Sequence, residues 1–373
     1  MKVNWRFTNA SRNSYAALFA ACETAGFTLN PVKTPTADVT CYSLNSINAG
    51  TLLKEIAKAG CITIAGGPHA TACYRDVVRE ADYVIVGEGE YALPALLSCI
   101  NEGRVPRVPG VATKDGFIPP DRTVLLDAYP PFSRIKGYIE ISRGCPFGCA
   151  YCQTPRIFGH SMRHRTIDSI ERWSRNYRDI RFVTPNALAY GSDGRSPNLV
   201  KVKRLLSRLS GNIYLGTFPS EVRPEFVTDE ALDLISTYCA NNRLHFGAQS
   251  GSNQILERLG RGHGISEVVA AVELCRDHGL TPVVDFIVGF PFETDDDQRA
   301  TGDLIRWVTD RGSVHVHLFT PLPGTPLAGT AARSLLPEIE HLLGNLSLKG
   351  RLTGSWSDPK TRFNRRKQGN DIA

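Results

Sequence analysis

Apolar and polar positions alternate along the chain in two successive arrays, and each array predicts strands separated by helices. Near the start, short apolar runs of strand length are separated by amphipathic stretches of helical length. The predicted strands cover residues 2–7, 28–32, 39–44, 61–67 and 83–89, with helices such as 14–26 and 49–60 between them. This alternation predicts an α/β domain over residues 1–105, a doubly wound (flavodoxin-like) parallel sheet.

The alternation stops at residues 106–136 and then resumes. The interruption is rich in Pro, Gly and Asp and is predicted to be a linker with room for one small hairpin. Over residues 137–327 six strands are predicted, at 137–142, 179–184, 212–217, 243–249, 281–288 and 313–319, with helices such as 166–177, 228–239, 266–279 and 295–309. Six such units favour a partial (β/α)6 TIM-type barrel. Residues 328–373 are predicted to form a C-terminal helix and a basic tail.

Polar and glycine-rich loops follow the strands of the first array. In a doubly wound sheet a ligand binds outside the carboxyl ends of the strands. The candidate positions there are Asn9, Ser11, Ser43, Asn45, Gly67, His69, Thr71, Gly87, Glu88 and Gly89. Glycines in two such loops let a large ligand approach the backbone closely. A plain turn at residues 66–68 is the alternative for the Gly-Gly-Pro sequence.

Composition limits the compartment and the partners. No run of eighteen apolar residues and no signal peptide is evident, so we expect a cytoplasmic protein with no membrane contact. The formal charge of +6 over 373 residues gives no case for nucleic acid binding. Ten cysteines in a reducing compartment are not expected to form disulfides. Seven of them stand singly in apolar patterns and are predicted to be small buried hydrophobes.

The other three cysteines form a close cluster. Cys145, Cys149 and Cys152 follow the first predicted barrel strand with C-x3-C-x2-C spacing. A 4Fe-4S cluster takes one thiolate per iron, so three cysteines leave one iron open to a chelating substrate or cosubstrate. The alternative is a structural zinc site with His160 or His164 as the fourth ligand.

The sequence "CPFGCAYC" resembles the signature of the radical S-adenosylmethionine (SAM) family, with Tyr151 before the third cysteine. Further segments resemble that family in the same order, at residues 216–224, 247–252, 261–263, 285–294 and 317–326. In that family the open iron binds the amino and carboxylate groups of SAM, and an electron from the cluster releases a 5′-deoxyadenosyl radical. The resemblance therefore implies a radical SAM enzyme.

The resemblance also implies a set of SAM-binding residues. They are Tyr151, Asn186, Ser220, Glu221, Arg223, Gln249, Ser250, Ile287 and Gly289. Among them Arg223 matches the methionine carboxylate, because a planar guanidinium can hold two oxygens. Ile287 and Gly289 offer a flat apolar surface for adenine. The chain departs from the family at residues 184–186, where Thr-Pro-Asn stands in place of the frequent Gly-Gly-Glu.

The first domain resembles the cobalamin-binding domain that precedes the barrel in a large radical SAM subfamily. The sequences "GGPHAT" and "GEGE" carry this likeness. The D-x-H-x-x-G motif that supplies a histidine to cobalt is missing, so bound cobalamin is expected base-off. His69 is the candidate to approach cobalt, with loop packing as the alternative.

Together the two domains resemble methyltransferases that act on an unactivated sp3 carbon, for which no catalytic acid or base is assigned. The segments at 184–191 and 315–326 and the sequence "GRLTGSW" resemble a group from methanogenic archaea. That group modifies a glutamine of the large subunit of methyl-coenzyme M reductase after translation. The expected partners are thus a protein or peptide substrate and an external one-electron reductant. His315 and His317 share one strand face and are assigned to substrate or a second metal, with a packed interior as the alternative.

Three other functions stay open. A radical SAM cyclase or rearrangement enzyme would use the same cluster. A methylthiotransferase normally needs three further cysteines, and the first domain shows no such grouping. A non-enzymatic iron-sulfur or corrinoid carrier is the third, although an electron carrier is expected to cap all four irons. The basic tail at residues 360–373 is typical of a solvated terminus, with an acidic partner or RNA as the alternatives.

Overall fold

The computed structural model describes residues 1–357, which divide into two compact units. Unit 1 comprises Met1–Pro146, Cys152–Val183 and Leu322–Thr325. Unit 2 comprises Phe147–Tyr151, Thr184–Pro321 and the described residues from Pro326 onward. Unit 1 therefore takes in the predicted linker and the first two predicted barrel strands.

Unit 1 is built on a seven-stranded sheet within the described residues, in the order β2-β1-β3-β4-β5-β6-β7. The strands are β1 (Val3–Arg6), β2 (Leu29–Val32), β3 (Val39–Ser43), β4 (Ile62–Gly66), β5 (Tyr83–Ile85), β6 (Val111–Thr113) and β7 (Gly116–Phe117). The first five are parallel, and the hairpin β6–β7 is antiparallel to β5, with Val84 opposite Ala112. Part of the predicted linker is thus an extension of the sheet.

Helices cover both faces of this sheet. They are α1 (Arg12–Thr24), α2 (Ala49–Ile56), α3 (Pro68–Ala72), α4 (Tyr74–Val77) and α5 (Gly89–Asn101). Neighbouring strand residues point to opposite faces, so Cys41 packs in the cluster of α1 and α5 while Tyr42 packs in the cluster of α2 and α4. Ala49, Leu52 and Ile56 form the buried stripe of α2 at helical spacing.

The remaining elements of unit 1 lie around the cysteine segment. They are β8 (Ile139–Glu140), β9 (Ser142–Arg143), α6 (Thr154–Phe158), β10 (Arg163–His164), α7 (Ile167–Ser174) and β11 (Asp179–Val183). Strands β8 and β11 are parallel, whereas β9 and β10 are antiparallel. Helix α7 begins where the Thr166 hydroxyl accepts a hydrogen bond from the Ser169 N–H.

Unit 2 continues the strand and helix alternation. Its strands are β12 (Asn212–Tyr214), β13 (Arg243–Gln249), β14 (Thr281–Val288), β15 (Ser313–Leu318) and β16 (Leu352–Thr353). Its helices are α8 (Leu199–Leu206), α9 (Asp229–Tyr238), α10 (Asn253–Arg258), α11 (Ile265–Asp277), α12 (Asp295–Thr309) and α13 (Pro337–Leu348). Strands β13 to β16 form a parallel sheet in chain order. Thr294 begins α12 through a capping box with Asp297.

The predicted α/β class is confirmed, since every predicted strand contains or overlaps an observed one. Short 3-10 turns at Asn9–Ser11, Leu126–Ala128, Ala187–Ala189 and Pro224–Phe226 complete the secondary structure of residues 1–357. The basic tail at 360–373 lies outside the described residues. Among the helices that are described, none is both long and apolar enough to cross a bilayer.

Candidate functional site

Unit 1 contains a cavity of about 300 Å³ at the carboxyl ends of β3, β4 and β5. Its wall is mostly apolar and includes Trp5, Leu18 and Ile64. Five of the residues predicted to bind cobalamin line it, namely Ser43, Gly67, Gly87, Glu88 and Gly89. The cavity lies where a doubly wound sheet binds its ligands.

The other predicted cobalamin-binding residues are not part of this wall; they are Asn9, Ser11, Asn45, His69 and Thr71. Two of them shape loops instead, since Ser11 Oγ bonds Thr8 and Asn45 Oδ1 accepts from the N–H groups of Ile47 and Asn48. Thr71 Oγ1 accepts a hydrogen bond of 3.0 Å from the Gly87 N–H. Thr71 thereby connects the two glycine-bearing loops.

Gly67 and His69 start the short helix α3. Gly67 has a φ of +94°, and a Cβ there would lie 2.7 Å from the Leu44 carbonyl oxygen, so glycine is required. His69 Nδ1 is buried without a hydrogen-bond partner among the described residues. Burial lowers the pKa of His69, against the opposing effect of Asp76, which favours the neutral imidazole. Coordination of cobalt by His69 stays a prediction.

The charged part of the cavity wall is a buried ion-pair network centred on Arg143. Its guanidinium bonds Glu88 at 2.7 Å, Glu90 at 2.7 Å and Glu140 at 2.6 Å, and donates to Tyr129 Oη at 2.9 Å. Burial alone would raise the pKa of Glu90, but Arg143 lowers it below its ordinary value. Glu90 is therefore ionised. A buried carboxylate needs a paired cation to remain charged.

The three cysteines lie in the segment between β9 and β10. Cys149 is buried, and Cys145 and Cys152 are half-buried. Within residues 1–357 the structure shows no ready-made group of three or more His, Cys, Asp or Glu side chains able to hold a metal ion. The zinc alternative with His160 or His164 therefore stays untested, as do the cysteine ligands of a 4Fe-4S cluster.

Cys149 faces a buried cation within unit 2. Arg261 Nη1 lies 3.9 Å from Cys149 Sγ and donates to Tyr151 Oη at 3.1 Å, while Nη2 donates to the Gly247 carbonyl at 2.9 Å. Burial alone would lower the pKa of Arg261, but attraction to Tyr151, Cys149 and Glu225 raises it. Arg261 thus places a permanent positive charge beside the Cys149 sulfur.

Several predicted SAM-binding residues already have partners within unit 2. Ser220 Oγ donates to the Thr217 carbonyl, and Ser250 Oγ bonds Thr301 Oγ1. Arg223 pairs with Glu225, donates to the Arg261 carbonyl and stacks 3.6 Å from the Phe147 ring centroid. Gln249 lies at a β-bulge with a φ of +71°, and Ile287 is half-buried.

Asn186 is the exception among these residues. Its side chain is 5% exposed, and neither Oδ1 nor Nδ2 has a hydrogen-bond partner among the described residues. A buried amide left unpaired costs free energy, so such groups usually await a ligand or water. The observation fits the predicted role of Asn186 toward the amino or carboxylate group of SAM.

Glu221 and Asp285 carry neighbouring carboxyl groups in unit 2, where Asp285 is buried and Glu221 is half-buried. Burial and the neighbouring Glu221 raise the pKa of Asp285 well above its ordinary value, and burial raises that of Glu221. Attraction to Arg261 partly offsets both shifts. The pair therefore shares a proton beside a permanent cation.

His315 and His317 lie on the same face of β15, with ring centroids 4.5 Å apart. His317 Nδ1 accepts a hydrogen bond of 3.4 Å from the Ser355 N–H, and His315 Nδ1 bonds Thr353 Oγ1 at 2.7 Å. Burial lowers the pKa of both imidazoles. A neutral His317 whose Nδ1 accepts must carry its proton on Nε2, so this nitrogen is a hydrogen-bond donor. The substrate or second-metal role of His315 and His317 stays a prediction.

Glu293 accepts a hydrogen bond of 3.0 Å from the N–H of Gly289, the glycine predicted to face adenine. Burial raises the pKa of Glu293 to about 7 from its ordinary value of 4.5, although the N–H groups of Gly289 and Phe290 oppose this. The folded state thus binds the proton more tightly than the unfolded state. Stability should fall as pH rises from about 4.5 through about 7.

We therefore expect Glu293→Gln to gain stability relative to the native protein as pH rises. The difference in free energy of unfolding, variant minus native, should be about 2 kcal/mol larger at pH 8 than at pH 5. Urea unfolding at both pH values measures the change. Glu338→Gln is the control, because Glu338 is half exposed in a surface pair with Arg299. An equal free-energy difference between native and Glu293→Gln proteins at both pH values would contradict the expectation.

Sequence reasoning missed several residues of these sites. They are Tyr129, Glu140, Arg143, Arg163, Arg261 and Asp285. One signal was present in the sequence, because Asp285 is a charged residue inside an otherwise apolar strand. A buried charge of that kind requires a partner. The residues that pair with such a charge are distant in sequence, and no local pattern identifies them.

Comparison with known families gives one match. Residues 139–305 match the family described as the Radical SAM superfamily. These residues contain the three cysteines and all nine predicted SAM-binding residues, so the chain has a radical SAM domain. Such a domain implies SAM and a 4Fe-4S cluster as cofactors.

Curated relatives include methylthiotransferases. The chain is 31% identical over 204 residues to threonylcarbamoyladenosine tRNA methylthiotransferase MtaB of Thermotoga maritima, covering 52% of this chain and 45% of that protein. It is 28% identical over 310 residues to tRNA-2-methylthio-N(6)-dimethylallyladenosine synthase of Roseobacter denitrificans, covering 77% and 65%. The chain thus spans about half to two thirds of the length of these relatives.

Solved structures with a similar fold include two radical SAM proteins. The methyltransferase TsrM of Kitasatospora setae, with cobalamin and a [4Fe-4S] cluster bound, matches with a TM-score of 0.67 at 17% identity, over 88% of this chain and 74% of that one. The cobalamin-dependent radical enzyme OxsB, with aqua-cobalamin bound, matches with a TM-score of 0.63 at 15% identity, over 99% and 61%. At such identities the likeness shows the fold.

Proposed function

Because residues 139–305 form a radical SAM domain, we propose that this protein is a cobalamin-dependent radical SAM methyltransferase. Cys145, Cys149 and Cys152 hold the 4Fe-4S cluster in this proposal, and unit 1 holds cobalamin. The observation that carries it is a mostly apolar cavity at the strand ends of a doubly wound sheet, on the same chain as the radical SAM domain. The fold shared with TsrM and OxsB supports it.

When bound, the cluster supplies the electron that cleaves SAM, and cobalamin carries the methyl group to be transferred. The side chains provide positioning and charge. Asn186 offers an unpaired amide to the polar end of SAM, and Arg261 keeps a positive charge at Cys149. The apolar wall around Trp5 and Ile64 excludes water from the cavity.

The acceptor in this proposal is the Cα of a glutamine in the large subunit of methyl-coenzyme M reductase, presented as an extended peptide. The resemblance of the segments at 184–191 and 315–326 supports this substrate. His317 fits a peptide because a neutral imidazole with Nε2–H can donate to a backbone carbonyl oxygen. The modification is then post-translational and belongs to methanogenesis.

Methylthio transfer is the second candidate, and the sequence relatives favour it. That reaction normally needs a second cluster held by three further cysteines. In unit 1, Cys22 and Cys41 are buried in the apolar core, and burial raises the pKa of Cys41 to about 12. A buried neutral thiol is a poor iron ligand, so neither Cys22 nor Cys41 is suited to a second cluster.

The test is anaerobic incubation of the reconstituted protein with cobalamin, a reductant, a peptide around the reductase glutamine, and SAM carrying a deuterated methyl group. We expect a peptide with one added labelled methyl, together with 5′-deoxyadenosine and S-adenosylhomocysteine in near-equal amounts. Mass spectrometry measures all three products. The gain should disappear when cobalamin is omitted.

Two results would decide against the proposal. A mass gain that includes sulfur would assign the protein to methylthio transfer. Formation of 5′-deoxyadenosine without S-adenosylhomocysteine would leave a radical enzyme that transfers no methyl group, such as a cyclase. An unlabelled peptide alongside both nucleoside products would reject the glutamine acceptor and keep the methyltransferase.

A further inference from the structure

The segment that carries the three cysteines is closed at its neck by β9 and β10. In this antiparallel pair Arg143 lies directly opposite Arg163, and Ser142 lies opposite His164. Gly144, the next residue, has a φ of +88°, and a Cβ there would lie 2.2 Å from the Ser161 carbonyl oxygen. The two ends of the cysteine segment are therefore in close backbone contact, one residue before Cys145.

Two arginines directly opposite each other repel unless carboxylates balance them; Arg143 also pairs with Glu90 and Glu140, whereas Arg163 depends on Glu88. Glu88 bridges them. Arg143 Nη1 donates to Glu88 Oε1 at 2.7 Å, and Arg163 Nη1 donates to Oε1 at 2.9 Å and to Oε2 at 3.0 Å. The three side chains are only 6 to 15% exposed, so solvent screens the repulsion and the attraction weakly.

Glu88 also belongs to the loop that follows β5 and lines the cavity. Its neighbours Gly87 and Gly89 are part of the same wall, and the Gly87 N–H is held by Thr71. A ligand that fills this part of the cavity contacts the loop. Any movement of Glu88 changes the bridge between the two arginines at the neck.

We propose that Glu88 is a positioning residue that holds the cysteine segment in shape through Arg143 and Arg163, and so links the cavity to the iron-sulfur cluster. The link to cobalamin rests on the proposed function, whereas the effect on the cluster requires only the radical SAM domain. Glu88 touches no iron. It acts through the two arginines that close the segment.

The first experiment measures iron retention in the full chain after anaerobic reconstitution. We expect Glu88→Gln to lose iron to a chelator about tenfold faster than the native protein, as found for residues that support metal ligands. The control is Glu55→Gln, which removes a partly buried carboxylate paired with Arg6 at 2.8 Å elsewhere in unit 1. Equal iron loss from the native protein and both variants would overturn the proposal.

A second variant separates the bridge from a general loss of stability. Arg163→Gln in the Glu88→Gln background removes the arginine whose charge Glu88 balances, while Arg143 keeps its pairs with Glu90 and Glu140. We expect the double variant to retain iron better than Glu88→Gln alone. If the double variant loses iron at least as fast, the role of Glu88 as a bridge is wrong.

The link to the cavity is tested by electron paramagnetic resonance of the reduced cluster. Adding aquacobalamin should shift the cluster signal in the native protein and in Glu55→Gln, and shift it less in Glu88→Gln. Bound aquacobalamin with no shift in the native protein would overturn the link. Absence of aquacobalamin binding would instead reject the proposed function, while the iron measurements still decide the role of Glu88.

Discussion

Replacing Cys149 by alanine is expected to remove the iron-sulfur cluster and to reduce SAM cleavage to background. In the proposed site each of the three thiolates holds one iron, and a 4Fe-4S cluster with an open iron has no spare protein ligand. Cys149 is also the buried thiol beside Arg261, so water cannot easily take its place. Iron and sulfide analysis, visible absorbance and 5′-deoxyadenosine formation measure the loss.

The matched control is Cys275→Ala. Cys275 is fully buried in α11, and burial raises its pKa to about 12, which marks an inert structural thiol. This variant should keep its iron and its SAM cleavage. A cluster that survives in Cys149→Ala, or one equivalent of zinc in the native protein, would contradict the assignment of the three cysteines.

The alternation of strands and helices was predictable because it depends on local period. Strands such as Val39–Ser43 and Thr281–Val288 are buried apolar runs, and α2 and α12 carry their apolar residues at helical spacing. The hairpin at Val111–Phe117 was harder to recognise as part of the sheet, since its Pro and Gly neighbours are typical of a linker.

The candidate sites were predictable only in part. The cysteine spacing and the glycine loops are local signals, and the structure places five of the loop residues on one cavity wall. The neck of the cysteine segment was missed because two strands of two residues each show no period. The ion pairs of Arg143 with Glu88 and Glu90 join residues 55 and 53 positions apart. Such pairs follow from the tertiary fold, which local pattern does not specify.

Arg261→Met is expected to lower the free energy of unfolding by about 3 kcal/mol or more at pH 8. Removing one partner of a buried charge network leaves the other charges uncompensated. Here the remaining charge is the Glu221–Asp285 pair, whose carboxyl pKa values burial already raises and Arg261 partly lowers. At pH 5 the two carboxyl groups are more fully protonated, so the loss of unfolding free energy in Arg261→Met should be smaller. Urea unfolding followed by circular dichroism at both pH values measures it.

Asp285→Asn in the Arg261→Met background identifies the cause. Asparagine is close to aspartate in size and carries no charge, so it removes the repulsion between positions 285 and 221. We expect the free energy of unfolding of the double variant to be higher, by about 1 kcal/mol or more, than the value obtained by adding the effects of the two single changes. Arg258→Met is the control, since Arg258 is exposed and stacks on Phe292 at 4.1 Å in the same unit. Two results would show that Arg261 does not stabilise the carboxyl pair. One is an Arg261→Met variant that loses no more free energy of unfolding than Arg258→Met. The other is a double variant in which the effects of Arg261→Met and Asp285→Asn simply add.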